Sequence, residues 1–261
     1  MSVKKSIKTY YAIRAEKVSS VLSIPARKLL ADDIHRLRVN IKKIRALASL
    51  NSGDVNSKST KSLKVIKRLF ARAGKLREVQ LRAQAIQEKN IDGKLSTYLH
   101  FLNLRVHYEK KNFTKELKSI QEDIETPLEE LGQQLKSIGK KEIKVFEKKG
   151  TKRKQELLKK EKVSVDELHE LRKQLKRELY LHDALGDLIS IDLGDKKTSQ
   201  MLGEWHDCHV MVKDIHKDLI SVKLPAPEIK LLKRLAKEKI TRADSLQSLL
   251  INRKFNFTTA D

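Results

Sequence analysis

Apolar residues recur every three or four positions along most of this chain, as in Ile34, Leu37, Ile41, Ile44 and Ala48. That spacing follows the roughly 3.6-residue turn of an α-helix and lays one greasy stripe along each segment. Read this way, the first half predicts helices near Lys4–Leu22, Asp32–Leu50, Ser59–Glu88 and Lys94–Ile120. The second half predicts them near Pro127–Lys160, Val165–Ile191, Lys196–Ser221 and Pro227–Asn252. Nowhere does a two-residue alternation persist, so the expected fold is all-α. Nine glycines and four prolines are few for 261 residues, and most fall between the periodic stretches, which favours long helices and short turns. Asp32 and Ser164 stand where N-caps are expected, and Asn51-Ser52-Gly53 makes a natural stop.

The pattern also repeats. Ile34–Arg45 reads I-H-R-L-R-V-N-I-K-K-I-R and Leu168–Leu179 reads L-H-E-L-R-K-Q-L-K-R-E-L. His35 aligns with His169, Arg38 with Arg172, Lys42 with Lys176, and Lys43 with Arg177. Later in each half comes a second echo: Ala73-Gly74-Lys75-Leu76-Arg77-Glu78 matches Leu202-Gly203-Glu204-Trp205-His206-Asp207 at the glycine and the acidic position. Two echoes in one order predict an internal duplication. The expected organisation is a single domain over 1–261, built from one four-helix repeat over 1–125 and a second over 126–261, with Gln121–Gly139 as the join.

Composition narrows the function. Hydrophobic residues make up 39%, enough for a core. Lys and Arg number 57 against 34 Asp and Glu, a formal excess of +23 that calls for a negatively charged partner. Cys208 is alone, so no intrachain disulfide can form, which fits a reducing compartment. No apolar run approaches a membrane span, and Met1–Leu22 lacks the apolar block of a secretory signal. The expected location is the cytoplasm, and no membrane partner is expected.

The candidate chemistry lies beside the apolar stripe. With His35 set at zero on a helix, Arg38, Lys42 and Arg45 fall within an arc of roughly 80°. That arc adjoins the apolar face, so the cations border a groove between helices instead of facing open water. In the second copy His169, Arg172 and Lys176 form the same row beside Leu168, Leu171 and Leu175. Crowded like charges raise their own free energy until an anion arrives. Arg offers a planar fork to phosphate oxygens, Lys a point charge, and His a group that titrates near neutrality. A solvated charged face would normally carry acidic residues four positions away, yet none occurs between His35 and Arg45.

The pattern H-x-x-R-V-x-x-(K/R)-(K/R)-x-R with a later L-G-x-x-(R/N/H)-(D/E) resembles the conserved histidine α-helical domain, or CHAD, family. The resemblance covers nearly the whole chain. It implies two pseudo-symmetric four-helix bundle units, a basic cleft between them that holds inorganic polyphosphate, and no catalytic activity. By position it implies ligand roles for His35, Arg38, Lys42, Lys43 and Arg45, and for His169, Arg172, Lys173, Lys176 and Arg177. Lys75, Arg77 and Arg105 are further candidates. Glu78 and Asp207 are expected to orient neighbouring cations. Leu179 stands where a third arginine of the second row is usual, and His206 replaces the usual Asn or Arg before Asp207.

Other signals carry less. His206, Cys208, His209 and His216 superficially suggest a metal site, but Cys208 points away from the histidines and a closed zinc site needs more ligands. No cofactor or metal is expected. Gly194–Thr198 lacks the G-x-x-x-x-G-K-(S/T) spacing of a phosphate loop. Trp205 reads as a core anchor, while His100 and His107 suit a core edge or a polyanion-facing role equally. The expected function is non-catalytic polyphosphate binding, and targeting to polyphosphate granules, storage and signalling are the purposes open to it. A helical nucleic-acid binder is the alternative, weakened by only 5% aromatic residues. An enzyme acting on a phosphate polymer, or its regulatory subunit, is the other, and the rows contain no metal-holding carboxylates.

Overall fold

In a computed structural model, residues 2–52, 61–90, 92–121, 124–158, 160, 163–191 and 193–253 are described. Among them lie nine α-helices and two short 3-10 turns, and no strand. The helices are α1 (Val3–Leu22), α2 (Ala31–Ser52), α3 (Lys61–Lys89), α4 (Ser96–Gln121) and α5 (Glu125–Leu135). They continue with α6 (Lys140–Leu158), α7 (Val165–Leu185), α8 (Leu193–Ser221) and α9 (Ala226–Arg253). The all-α expectation is met, and no helix is long and apolar enough to cross a membrane among the described residues.

Two helices end earlier than the periodicity suggests. The expected helix over 127–160 is broken into α5 and α6. The Gly139 N–H donates to the Glu142 carboxylate at 2.8 Å, so a new N-terminus is capped where the old helix stops. The expected helix to Ile191 ends at Leu185, because Gly186 takes φ +60°, a left-handed conformation that closes an α-helix and suits only glycine well.

Ser164 caps α7 as expected, and does so reciprocally. Its hydroxyl accepts from the Glu167 N–H at 3.2 Å while its own N–H donates to the Glu167 carboxylate at 2.9 Å. The Lys160 ammonium above all, then the Ser164 N–H and hydroxyl, hold the Glu167 carboxyl down to about 2. Asp32 is not the cap of α2. The helix starts at Ala31, and Asp33 in its first turn reaches back to accept the Leu30 N–H at 2.8 Å and pairs with Arg36.

The chain forms two compact units that are interleaved in sequence, so compactness divides it differently from the sequence repeat. One comprises Met1–Gln84, Leu102–Lys149 and Arg177–Ser190; the other comprises Ala85–Phe101, Gly150–Lys176 and Ile191–Asp261. In the first unit α1, α2 and α5 pack together. The α2 stripe of Ile34, Leu37, Ile41, Ile44 and Leu47 is buried, as are Ile7, Val18 and Val21 of α1 and Leu128, Leu131 and Leu135 of α5. Burial of a Leu or Ile side chain contributes about 1.5–3 kcal/mol, so this seam fixes α2's rotation and with it the direction of every cation on the helix.

The second unit is centred on Trp205, fully buried among Leu168, Leu175, Leu202, Cys208, Ala243 and Leu246. The core-anchor reading of Trp205 is therefore correct. Burial pushes the Cys208 thiol up, which leaves it an inert packing group. Two buried carboxylates tie this unit's helices by their backbones and hydroxyls. Glu228 of α9 accepts the Thr97 and Tyr98 N–H groups at 3.0 and 2.9 Å, closing the start of α4, and Asp218 of α8 accepts the Tyr98 hydroxyl at 2.9 Å.

Candidate functional site

In the first unit, α2 carries His35, Arg38, Lys42 and Arg45, and two of its arginines are anchored by α3. Arg38 lies with its guanidinium carbon 4.4 Å above the Phe70 ring and donates from Nη1 to the Phe70 backbone oxygen at 3.0 Å. Arg45 lies over the same ring at 5.0 Å. Gly74 makes the approach possible, since a Cβ there would sit 2.5 Å from Arg38 Nη1. Both guanidinium groups are half-buried. Burial lowers the Arg38 pKa most; Glu78 counters it, while Arg77 and Arg45 add to it. For Arg45 burial comes first and Arg177 second, which places Arg177 of α7 within electrostatic reach of this row. Arginine stays charged regardless, so these shifts register how crowded and partly dehydrated the positive charge is.

His35 heads the row. Partial burial, then Arg77 and Lys42, hold its imidazole below the ordinary value, with Asp32 opposing. An anion beside the row would offset those cations and raise it. The Nε groups of Arg45 and Arg77 are buried without a hydrogen-bond partner. A buried N–H of that kind is costly and calls for an explanation, and a bound anion would supply one.

Lys43 behaves differently. It lies roughly 160° from Arg45 around α2, off the row. Its ammonium pairs with Asp183 of α7 at 3.0 Å and lies 5.8 Å from the centre of the Tyr180 ring. The lack of acidic residues along α2 is thus made good here from another helix, and Lys43 is already neutralised. Lys75 is exposed and sits roughly 160° round α3 from Arg77, so the two do not act as a pair. Arg105 is half-buried on α4.

The second unit holds His169, Arg172, Lys173 and Lys176 of α7. Burial holds Lys176 below the usual ammonium range, Arg172 adds to this, and Asp207 opposes it. Lys173 is paired with Glu170 at 2.5 Å, and Glu170 also meets Arg153 at 3.5 Å, so the outer edge of this row is partly neutralised. Glu78 and Asp207 lie within electrostatic reach of Arg38 and Lys176 respectively.

His169 lies against an aromatic cluster. Its ring centre is 4.8 Å from that of Trp205 and 4.9 Å from that of His206, and Trp205 is 4.6 Å from His209. Burial, then Arg172, His209 and Lys173, lower the His169 pKa, with Asp166 opposing. The echoed positions each meet a motif histidine: Arg77 acts on His35, and His206 abuts His169. No group of three or more metal-ligating side chains is assembled among the described residues. His100 and His107 are exposed on α4, not at a core edge.

Sequence reasoning missed Phe70, the Lys43 partners Asp183 and Tyr180, and the packing of Trp205 and His206 on the motif histidine. Each comes from a helix other than that of the side chain it meets. Only His206 had a signal, through its alignment with Arg77.

Comparison with known proteins bears on this arrangement. The chain is similar in structure to PptA from Streptomyces chartreusis, with a TM-score of 0.68, 9% identity, and coverage of 98% of this chain and 100% of that one. It is also similar to the CHAD domain from the plant Ricinus communis, with a TM-score of 0.70, 10% identity, and coverage of 96% and 92%. At such identities the likeness is one of fold. No curated protein matches the chain in sequence. The CHAD domain profile matches residues 25–213, which include both histidine-headed rows and both glycine echoes. The chain belongs to the CHAD family.

Proposed function

We propose that this protein binds inorganic polyphosphate along its two histidine-headed rows of cations and releases it unchanged. The observation that carries the reading is the state of the α2 row. Arg38, Arg45 and Arg77 are half-buried, they raise one another's free energy, and two of them keep a buried Nε without a hydrogen-bond partner. A polyanion would relieve the crowding of positive charge, and phosphate oxygens match the guanidinium fork. Family membership supports the same ligand class. Much of the affinity would come from counterion release, so binding should weaken steeply with salt. With no base edge to read, chain length would govern strength.

The rows hold no carboxylate set suited to divalent metal, which favours holding over hydrolysis. A protein that binds the polymer without consuming it is suited to tethering at polyphosphate granules. The test is calorimetric titration with polyphosphates of graded length against the wild type and an Arg38→Glu, Arg172→Glu variant. Binding that tightens with length and is lost in the variant is expected. Equal competition by nucleic acid at matched charge would favour the nucleic-acid reading. Steady phosphate release dependent on magnesium and His35 would overturn the non-catalytic one.

A further inference from the structure

We infer that Phe70 is a positioning residue for the anion site, its ring holding the guanidinium groups of Arg38 and Arg45 in fixed orientations before any ligand arrives. The inference rests on the polyphosphate reading and adds to it a residue that bears no charge and lies outside both motifs.

The geometry begins with one turn of α3. In a helix the side chain at position i+4 leans back over the carbonyl of residue i. Gly74 stands four residues after Phe70, so that carbonyl is left uncovered, and Arg38 Nη1 reaches it at 3.0 Å. The same guanidinium lies 4.4 Å above the Phe70 ring, so a single residue engages Arg38 through both ring and backbone. Arg45, two turns along α2, places its own guanidinium 5.0 Å from the ring centre. The two charges can therefore be no further apart than the sum of those distances.

Two guanidinium groups so close repel, and on free side chains they would swing apart into water. The negative face of an aromatic ring offsets part of that repulsion, most effectively where water is partly excluded. Arginine also carries much rotamer freedom, and fixing it in advance removes an entropic cost that binding would otherwise meet. The ring thus presents two planar donor forks together, on the side of α2 where Arg45 Nε lacks a partner. A simple core filler would need neither arginine. Phe70 is only half-buried, whereas Ile66 and Leu69 beside it are fully inside.

The experiment replaces the ring while keeping its bulk: Phe70→Leu and Phe70→Met remove the π face, and Phe70→Tyr retains it. Three readouts are taken on the full chain: calorimetric affinity for a long polyphosphate, thermal unfolding, and the arginine Nε–Hε NMR signals of the unliganded protein. Arg38→Lys and Arg45→Lys assign those signals. Phe70→Leu and Phe70→Met should lose roughly tenfold in affinity, as expected for the loss of cation–π support, with melting changed little. They should also lose the ring-current displacement of both arginine signals, while Phe70→Tyr keeps affinity and signals alike. Wild-type affinity in the Leu and Met variants with collapsed arginine signals would overturn the inference and leave polyphosphate binding standing. An equal loss in Phe70→Tyr would do the same. A wild type that fails to bind polyphosphate would instead sink the reading beneath it.

Discussion

Gly74 and Gly203 hold matching places in the two echoes, both inside long helices, yet replacing each by alanine should have opposite effects. Glycine in a helix interior costs about 0.5–1 kcal/mol relative to alanine, because it loses more backbone freedom on folding. At Gly203 an added methyl meets no heavy atom within 4 Å, so Gly203→Ala should realise that gain in full. For a chain of this size the melting temperature would rise by about 2 °C. At Gly74 the methyl would stand 2.5 Å from Arg38 Nη1, and the guanidinium must leave. What is lost is a charge-assisted hydrogen bond to the Phe70 carbonyl, about 1.5–3 kcal/mol, and a cation–π contact of about 0.5–2 kcal/mol. Rehydration of the freed guanidinium returns part of this. The helix gain is thereby cancelled or reversed, and the two variants should differ by about 2 kcal/mol in urea unfolding. Equal stabilisation by both would show that Arg38 is not held against α3, and the account of the first row would fail with it.

Two further outcomes follow from the same site. His35 and His169 are both held below the ordinary histidine value, so a bound polyanion should raise them and binding should take up protons. Affinity then rises as pH falls from the bound-state pKa towards the free-state one, and titration in two buffers of different ionisation enthalpy measures the uptake; net proton release would contradict it. Without ligand the sign reverses. The unfolded histidines protonate first, near 6.5, so stability is full above that value and is lost as pH falls towards the lower folded pKa. Lys43 gives a simpler contrast. Because Asp183 already neutralises it, Lys43→Gln should leave the slope of log affinity against log salt unchanged, while Arg45→Gln reduces it by roughly 0.7. An equal fall in both would mean that Lys43 contacts the ligand.

Most of the fold was legible because apolar spacing reports helices directly. Seven of the eight expected helices have counterparts, six of them within a few residues at both ends. The eighth, over 127–160, is split in two. Leu128, Leu131, Leu135 and Ile138 keep helical spacing up to the break, and only the five-residue step to Ile143 departs from it, so periodicity marks the break weakly. What interrupts the helix is a local competition, in which Glu142 turns back to the Gly139 N–H and starts a new helix. Leu185–Ile191 fails for a similar reason. Ile189 is buried as a helical pattern would require, but the chain reaches that position through the left-handed turn at Gly186.

The rows themselves were legible because each lies on one helix beside its own apolar stripe, so α2's core side chains determine where its cations point. What stabilises those cations was not legible, since Phe70, Asp183 and Trp205 come from other helices and no period links them to the rows. The second row shows how much this matters. Counting back four residues from Gly203, as Phe70 lies four before Gly74, gives Ser199, which offers no ring to an arginine. The aromatic support there belongs to the histidine instead, through Trp205 and His206. The two rows therefore keep the same order of charges but hold different members in place. In the first it is a pair of permanently charged forks, and in the second a group whose charge depends on pH. Salt should accordingly be the main control on the first row, and pH should act more strongly on the second.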